Sequence, residues 1–326
     1  MSPKMFSFKN LVIIWWMLKH LLTPFGVRLA SLALLVALGS VSLDGQQSSQ
    51  PSPAAPDDQY QLGPDSLAQA GVPRGSIWTL ALPPSKIYPG YNHQAWLYLP
   101  AGYDGQAQLA LLVFQDGGLV VAANGPFRVP TVLDNLIAQR ALPLMAAVFV
   151  DPGKPIHDDG LAGDQRSFEY DTVSGQYAEF LLAEVFPEVR KSARITDDPQ
   201  GRAIAGLSSG GICAFTAAWR RPDAFSKVFS GIGSFVDIRG GGVYPELIRQ
   251  SETKPLHVFL QDGAKDGLPE QFAGLDWPAA NRAMARALAS KGYDYQLVMG
   301  VGTHNPKHAA AIFPGAMRWL WRDYPR

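Results

Sequence analysis

One serine of the sequence lies in the short glycine-rich pattern that presents a side chain as an exposed nucleophile. The segment GLSSG (206–210) follows an apolar run and precedes a run with helical spacing. A tight turn between a strand and a helix strains its central residue, and the residues two positions to either side must be small. Gly206 and Gly210 meet this requirement for Ser208, whereas Ser209 has a leucine two residues before it. We therefore predict that Ser208 is the nucleophile.

Three histidines follow this serine and are candidates for the base that a serine nucleophile requires. In hydrolases with this type of turn, an acid and then a histidine follow the serine along the chain. His304 lies just past a strand end in a glycine-bearing loop, His308 lies one turn further on, and His257 lies inside an apolar strand. We predict His304 as the base, with His308 as the alternative and His257 as a structural residue.

Two aspartates follow the apolar strand 256–260 and are candidates for the acid that orients the base. Asp262 ends the strand, and Asp266 lies in the loop beyond it. A loop carboxylate at the carboxyl end of a strand can reach an imidazole, whereas Asp262 can also serve only to fix its own turn. Asp266 is the predicted acid, and Asp262 is the alternative.

Backbone N–H groups must also stabilise the negative charge that develops on an attacked carbonyl oxygen. One donor is predicted to be the N–H of Ser209, the residue after the nucleophile. The other is predicted in the segment FQDGG (114–118), which follows the strongest early strand. Gly117 or Gly118 would allow a substrate to approach the backbone closely at this position.

The elements that position these residues alternate between short apolar runs and longer segments with helical spacing. Strands followed by helices predict an α/β fold with a mostly parallel central sheet flanked by helices. In such sheets, ligands bind beyond the carboxyl ends of the strands. The first two strands are separated by a Pro/Gly turn and are predicted to be antiparallel. The predicted strands are 76–82, 93–99, 109–114, 144–150, 203–207, 227–230, 256–260 and 295–301, and the predicted helices are 130–138, 177–189, 210–220, 279–288 and 309–321.

The composition is that of a globular chain without covalent or metal cross-links. Among 326 residues, 47% are hydrophobic and 17% are charged, and 28 Lys+Arg balance 28 Asp+Glu. A zero net charge provides no field for gathering nucleic acid or an anionic membrane surface. The single cysteine, Cys213, excludes an internal disulfide. We predict neither a cofactor nor a metal, because no phosphate loop, dinucleotide fingerprint or H-E-x-x-H motif is present.

The first 43 residues differ from the rest of the chain and predict a signal for export. The uncharged apolar run 29–43 follows basic residues and ends in small ones, which is the order found in secretory signals. Met17 is an alternative start that places a short basic region directly before this run. We predict a periplasmic or secreted protein with no stable membrane span after cleavage. An uncleaved helix that anchors the protein in the membrane is the alternative.

A stretch rich in proline, serine and glutamine separates this signal from the rest of the chain. Residues 44–59 contain little that could be buried and are predicted to be a flexible linker. Residues 60–326 are predicted to form a single large domain.

Five segments, in their order along the chain, resemble one family of esterases. They are VFQDGG (113–118), RSFEYD (166–171), GLSSGG (206–211), LQDGAKD (260–266) and GTHN (302–305). The combination is similar to the family that includes enterochelin esterases, esterase D and feruloyl or acetylxylan esterases, over about residues 62–322. The resemblance implies an α/β-hydrolase fold and serine-dependent ester cleavage without a metal. It also implies Ser208 as nucleophile, Asp266 as acid and His304 as base.

Four further residues are candidates for touching a substrate or for holding the site together. Arg166 and Glu169 are three residues apart, and we predict an ion pair between them that holds the loop before the helix 177–189. Tyr170 either faces the cleft or packs in the interior. Trp277 and other aromatic residues follow carboxyl-side strand ends, where they form either an acyl pocket or the core of a lid. The other aromatic residues of this group are Phe235, Tyr244 and Phe272.

These observations predict an exported serine carboxylic-ester hydrolase that works through an acyl-enzyme. The predicted substrate is a small-molecule or carbohydrate-linked ester with an acetyl, feruloyl, siderophore or other acyl group. The chain lacks an obvious basic cluster for a trianionic iron complex, which argues against a siderophore. Two alternatives remain open on the same fold: acyl transfer of the mycolyltransferase type, and a non-catalytic binding module.

Overall fold

The computed structural model describes residues 55–157, 164–267 and 272–325. The predicted export signal (1–43) and most of the predicted linker (44–59) lie outside these ranges. Within them, no helix is both long and apolar enough to cross a lipid bilayer.

A mostly parallel sheet of eight strands forms the centre of the described chain, and the predicted α/β fold is confirmed. The strands are β1 (Ser76–Leu80), β2 (Tyr91–Asn92), β3 (Ala95–Leu99), β4 (Ala110–Gln115), β5 (Met145–Val150), β6 (Lys154–Pro155), β7 (Arg202–Leu207), β8 (Lys227–Gly231), β9 (His257–Gly263) and β10 (Asp294–Gly300). The large sheet has the order β1-β3-β5-β4-β7-β8-β9-β10, while β2 and β6 form a separate antiparallel pair. In the large sheet β3 is antiparallel to β1 and to β5, and the remaining neighbours are parallel.

Helices connect the parallel strands and cover both faces of the sheet. The α-helices are α1 (Gly117–Val120), α2 (Val129–Ala138), α3 (Gln165–Asp171), α4 (Gln176–Phe180), α5 (Phe186–Arg190), α6 (Ser209–Arg220), α7 (Tyr244–Gln250), α8 (Trp277–Ser290) and α9 (Pro306–Leu320). A π-helical turn, Leu181–Val185, joins α4 to α5, so the predicted helix 177–189 is present as a continuous but uneven helical segment.

Burial on both faces explains why the central strands read as continuous apolar runs. Every residue of β4 and β5 is buried. Alternate side chains enter different cores: Val113 packs in the core beneath α6, whereas Leu112 packs in the core beneath α2 and α9. Because these strands are parallel, their carboxyl ends lie at the same edge of the sheet. Ligands of such folds bind at this edge.

Helix α3 replaces the loop that the sequence predicted before the helix 177–189. Two of its three buried residues are acidic, since Glu169 and Asp171 are buried beside Tyr170 while Phe168 is exposed. Apolar periodicity cannot detect a helix that turns its charged residues inward. Asp164 caps the start of α3, with its side chain accepting a hydrogen bond from the N–H of Ser167.

Residues 56–59, at the end of the predicted linker, contact the rest of the described chain. Pro56–Gln59 forms a 3-10 turn in which Asp57 is buried. Together with Tyr60, this turn packs on the loop after β10, and we call residues 56–60 the N-terminal strap. The strap holds its place through hydrogen bonds from a few polar side chains, so its composition resembles that of a linker.

Candidate active site

Ser208 lies at a sharp turn between β7 and α6. Its backbone has φ 56° and ψ −122°, a strained conformation for a residue with a side chain. The turn brings Gly206 against Gly210 so closely that a Cβ on Gly206 would lie 2.1 Å from the carbonyl oxygen of Gly210. Glycine at position 206 is therefore required for the turn that holds the Ser208 hydroxyl out from the sheet.

The structure brings Ser208, His304 and Asp266 into one chain of hydrogen bonds. The Oγ atom of Ser208 lies 2.8 Å from Nε2 of His304, and Nδ1 of His304 lies 2.7 Å from Oδ1 of Asp266. With a neutral imidazole protonated at Nδ1, the Ser208 hydroxyl donates to Nε2, and the Nδ1–H group donates to Asp266. This arrangement lets the imidazole accept a proton from the serine while the carboxylate holds the ring in position.

Asp262 lies behind the loop acid rather than beside the imidazole. It is completely buried, and its carboxyl accepts hydrogen bonds from the N–H of Gly263 (2.7 Å) and from Nδ2 of Asn281 (3.0 Å). Burial and the neighbouring carboxyl of Asp266 raise the pKa of Asp262 far above its ordinary value. The pair therefore favours a proton on Asp262 and the negative charge on Asp266.

The protonation states of the hydrogen-bonded chain suit a base that must accept a proton. Burial lowers the pKa of His304 to about 4, so its imidazole is neutral at pH 7. Burial also raises the pKa of Asp266 to about 6, with the charge of Asp57 acting in the same direction. Asp266 remains ionised at pH 7 and faces the Nδ1–H group of His304.

Ser234 and Trp277 support the serine and the histidine from the side. The indole Nε1–H of Trp277 donates to Oγ of Ser234 at 3.1 Å, and that hydroxyl lies 3.3 Å from Oγ of Ser208. The Trp277 ring meets the His304 ring edge to face, with 5.5 Å between ring centroids. Sequence reasoning did not find Ser234, because a lone serine after β8 carries no motif of its own.

The three predicted oxyanion donors are placed differently by the structure. Ser209 is the first residue of α6, where N–H groups have no partner within their own helix. The N–H of Gly117 has no hydrogen-bond acceptor among residues 55–157, 164–267 and 272–325. The N–H of Gly118, by contrast, donates to Oδ1 of Asp151 at 2.9 Å. The N–H of Gly118 is thus already occupied, because Asp151 follows β5 and lies beside it.

The predicted ion pair between Arg166 and Glu169 is wrong. The guanidinium of Arg166 forms two hydrogen bonds of 2.8 Å with Asp116, which precedes Gly117. Glu169 is buried and bonds to Nε2 of His93 at 3.0 Å. The two side chains have separate partners because helix α3 contacts two different segments. Asp116 follows β4 and binds Arg166, whereas His93 precedes β3 and binds Glu169. The Arg166 pair fastens α3 to the loop that precedes the short helix α1.

Tyr170 packs in the interior and does not face the cleft. Its hydroxyl lies 3.3 Å from the carbonyl oxygen of Val150 and 3.4 Å from the N–H of Asp116. Among the other predicted aromatic residues, Phe235 and Tyr244 are buried in the core beneath α6. Only Phe272 and Trp277 of that group approach the reacting residues.

The two other candidate bases, His308 and His257, have partners of their own. Nδ1 of His308 lies 3.0 Å from Nε2 of Gln261, and the ring of His308 stacks on Tyr60 of the N-terminal strap. His257 lies at the start of β9 and pairs with Asp294 at 2.5 Å. Neither imidazole contacts Ser208.

A cavity of about 350 Å³ opens directly onto Ser208 and His304. Its volume falls within the range of small-molecule sites. Arg166 enters it with its charge already paired to Asp116. The remaining lining is contributed mainly by Asp164, Ser167, Asp171, Ser209, Ser234 and Phe272.

Comparison with known proteins identifies the class of enzyme to which this site belongs. The family described as "Putative esterase" matches residues 88–313, which is more than half of the chain. The chain therefore belongs to this family and is a carboxylic-ester hydrolase of the α/β-hydrolase fold. The matched segment contains Ser208, Asp266 and His304.

Two curated relatives are similar over most of this chain. The chain is 22% identical to the uncharacterized protein YbbA of Bacillus subtilis over 240 residues, which cover 71% of this chain and 93% of YbbA. It is 25% identical to the iron(III) enterobactin esterase of Dickeya dadantii over 247 residues. That match covers 70% of this chain but only about half (52%) of the Dickeya protein.

Two solved structures share the fold. The enterobactin esterase of Shigella flexneri, determined with 2,3-dihydroxy-N-benzoyl-glycine, superimposes with a TM-score of 0.60 and 20% identity, covering 83% of this chain and 63% of its own. A ferulic acid esterase from the fungus Anaeromyces mucronatus superimposes with a TM-score of 0.60 and 15% identity, covering 80% of this chain and 94% of its own.

Proposed function

We propose that this protein is an exported serine esterase that cleaves carboxylic esters through an acyl-enzyme, with Ser208, His304 and Asp266 as its catalytic triad. The observation that carries this proposal is the unbroken hydrogen-bonded chain of these three side chains at the mouth of a ligand-sized cavity. A non-catalytic module would have no need for a strained serine, a neutral buried imidazole and an ionised acid in this order.

The first half of the reaction forms the acyl-enzyme. Oγ of Ser208 attacks the ester carbonyl while Nε2 of His304 accepts its proton. The carbonyl oxygen becomes an oxyanion, which receives hydrogen bonds from the backbone N–H groups of Ser209 and Gly117. The imidazolium that forms is stabilised by Asp266, and it then protonates the alcohol oxygen as the carbon–oxygen bond of the ester breaks.

The second half returns the enzyme to its starting state. Water takes the place of the alcohol, gives a proton to His304 and attacks the acyl carbonyl. Collapse of the second oxyanion releases the carboxylic acid, and Ser208 recovers its proton from the imidazolium. Neither half requires a metal or an organic cofactor.

The cavity supports a neutral, small ester more than a highly anionic one. Its only guanidinium, within the part of the chain that the structure describes, is that of Arg166, which Asp116 already neutralises. Asp164 and Asp171 add carboxyl groups to the same lining. An iron complex with several negative charges would lack a counter-charge here. Hydroxycinnamoyl and acetyl esters, including those of carbohydrates, fit the cavity better.

We propose the domain organisation that the sequence predicts, with one adjustment. Residues 1–43 are proposed to direct export and to be removed, and the linker after them is proposed to end before the N-terminal strap. The hydrolase domain then begins near residue 55 rather than at residue 60, because Asp57 is buried against the loop that carries His304.

The proposal is tested by labelling with a fluorophosphonate probe together with hydrolysis of p-nitrophenyl acetate. We expect Ser208→Ala to abolish labelling and to lower the hydrolysis rate at least about a thousandfold. Ser234→Ala is the matched control, because this hydroxyl lies in the same cavity 3.3 Å away and should not be needed for labelling. Labelling that survives in Ser208→Ala, or is lost only in Ser234→Ala, would overturn the assignment.

A further inference from the structure

Two buried carboxyl groups lie next to each other behind the catalytic histidine. Strand β9 ends at Gly263, and a tight turn then brings Asp266 back towards Asp262, with the N–H of Asp266 donating to the carbonyl oxygen of Gly263 at 3.1 Å. Asp262 is completely buried, and Asp266 is only 7% exposed. Their side chains are hydrogen-bonding neighbours. Two carboxyl groups placed in this way cannot both be ionised, so one proton lies between them.

The contacts of Asp266 leave one of its oxygens available for that proton. Oδ1 of Asp266 lies 2.7 Å from Nδ1 of His304. Oδ2 is buried and receives no N–H or hydroxyl donor from the residues that the structure describes. Buried carboxylate oxygens normally have a donor. The neighbouring carboxyl group of Asp262 supplies one only in its protonated form.

The contacts of Asp262 hold its carboxyl group in one orientation. Its two oxygens accept hydrogen bonds from the N–H of Gly263 at 2.7 Å and from Nδ2 of Asn281 at 3.0 Å. Asn281 lies in helix α8, and its Nδ2 also lies 2.9 Å from the carbonyl oxygen of Gly233 and 3.1 Å from that of Trp277. Asp262 is thus anchored to a helix that is separate from the loop carrying Asp266.

We propose that Asp262 is a positioning residue that carries a proton and donates a hydrogen bond to Oδ2 of Asp266. This bond holds the carboxylate of Asp266 against His304 and keeps the two acids at a single negative charge. The imidazolium that forms during the reaction then has one counter-charge in a fixed position. The inference rests on the proposed function, because it assigns a role to Asp262 behind the same triad.

Infrared spectroscopy of the free enzyme tests for the proton itself. A protonated carboxyl group has a C=O stretching band that a carboxylate lacks. We expect the difference spectrum between the wild type and Asp262→Asn at pH 7 to contain the band of one protonated carboxyl group. Asp323→Asn, at an exposed carboxylate, is the matched control and should leave that band in place.

Two substitutions separate the hydrogen bond from the shape of the site. Asp262→Asn supplies an amide N–H donor in place of the acid proton, so kcat for p-nitrophenyl acetate at pH 7 should stay within about threefold of the wild-type value. Asp262→Ala removes the donor, so kcat should fall about tenfold or more while KM changes less than about twofold. The acid limb of Asp262→Ala should also move to higher pH, because the hydrogen bond from Asp262 lowers the pKa of Asp266.

Alkaline pH tests the same hydrogen bond in the wild type. The titratable groups that face Asp262 are Asp266 and His304, and helix α8 contacts it through the uncharged Asn281. Loss of the acid proton removes the donor and places a second negative charge beside Asp266. We expect kcat of the wild type to fall above about pH 8 and that of Asp262→Asn to stay constant, after correction for uncatalysed hydrolysis.

Three results would overturn the inference. They are a difference spectrum without the band of a protonated carboxyl group, an equal loss of kcat in Asp262→Asn and Asp262→Ala, and an alkaline limb that persists in Asp262→Asn. The infrared spectrum and the alkaline limb decide the question if Asp262→Ala does not fold. Fluorophosphonate labelling of Ser208 tests the proposed function separately, since the infrared band of the free enzyme requires no turnover.

Discussion

At the scale of single residues, the site is governed by how burial sets protonation. His304, Asp266 and Asp262 are all removed from water, and burial acts against the charged form of each. Only one negative charge remains among them at neutral pH, on Asp266. That charge is the one that the imidazolium needs during acyl transfer.

The pH dependence of hydrolysis should reveal these protonation states. The imidazole of His304 must be neutral to accept a proton, and its pKa of about 4 lies below the ordinary value. Asp266, with a pKa of about 6, must be ionised to orient it. We expect kcat/KM for p-nitrophenyl acetate to be constant from pH 7 to 8 and to fall as the pH drops from about 6 towards 4.

The position of this acid limb distinguishes a buried site from an exposed one. An imidazole exposed to water becomes protonated below about pH 6.5 and can then no longer act as a base. A limb centred clearly above pH 7 would contradict the assignment of buried, neutral His304 as the base. The profile should be measured with a substrate that does not itself titrate between pH 4 and 8.

At the scale of elements, the turn between β7 and α6 depends on the missing side chain of Gly206. An added Cβ would lie 2.1 Å from the carbonyl oxygen and 2.3 Å from the carbonyl carbon of Gly210. Because these contacts are with backbone, a side chain cannot rotate away to relieve them. We expect Gly206→Ala to lower the free energy of unfolding by at least about 2 kcal/mol, seen as a lower melting temperature.

Gly315 provides a control for the same chemical change. It lies in helix α9, and a Cβ there would have nothing within 4 Å. Alanine is the better helix former by about 1 kcal/mol, so Gly315→Ala should leave the melting temperature unchanged or raise it. Equal melting temperatures for the two variants would show that the turn tolerates a side chain.

The N-terminal strap should act on catalysis through the loop that carries His304. The carboxylate of Asp57 accepts hydrogen bonds from the backbone N–H (3.0 Å) and the hydroxyl (2.5 Å) of Thr303. Asp57→Asn keeps only one of these acceptors, so we expect kcat to fall about three- to tenfold with little change in KM. It also removes a charge that raises the pKa of Asp266, so the acid limb should move to lower pH.

The neighbouring aspartate separates a local effect from a general one. Asp58 pairs with Lys307 at 2.7 Å, and both side chains are about half exposed. Exposed ion pairs of this kind contribute little to the stability of a protein. Asp58→Asn should therefore leave kcat and the pH profile unchanged. The positioning role of Asp57 would be contradicted if both variants behaved alike.

The elements that could be predicted from the sequence are those whose burial is apolar. Strands such as β4 and β5 are recognisable because both of their faces are covered by hydrophobic cores. Helix α3 was missed because its buried face carries Glu169 and Asp171. Residues 56–59 are predicted as linker because Asp57 and Asp58 contact the rest of the chain through polar side chains, which leave no apolar pattern.

The candidate site also contains some residues that the sequence predicts and others that only the fold reveals. Ser208, Asp266 and His304 were singled out from a motif, a strand end and a loop, and the structure places them within hydrogen-bonding distance of one another. The partner of Arg166 and the engagement of Gly118 depend on which segments meet at the sheet edge. Such contacts between distant segments leave no local pattern, and the role of Ser234 could not have been found without the fold.

At the scale of the whole molecule, the proposed export depends on the apolar run 29–43. We expect the mature protein to begin between residues 40 and 46. Cell fractionation combined with N-terminal sequencing and intact mass of the processed protein measures this directly.

Deletion of the apolar run provides the matched test of export. A chain lacking residues 29–43 should remain inside the cell while retaining esterase activity in lysates, since the domain that the structure describes begins at residue 55. Retention of the full-length mass in the membrane fraction would instead support an uncleaved anchor.

The strap and the loop that carries His304 join the two ends of the described domain. Asp57 and Thr303 are separated by 246 residues, so their contact closes nearly the whole described chain into one loop. A ribosome or an export channel releases the amino end first, and contacts of such long range form late in folding. Ser208 therefore emerges and waits without a base until the last strand and its loop have followed. We expect an incomplete chain to be inert, with ester cleavage beginning only after the loop that carries His304 has joined Ser208.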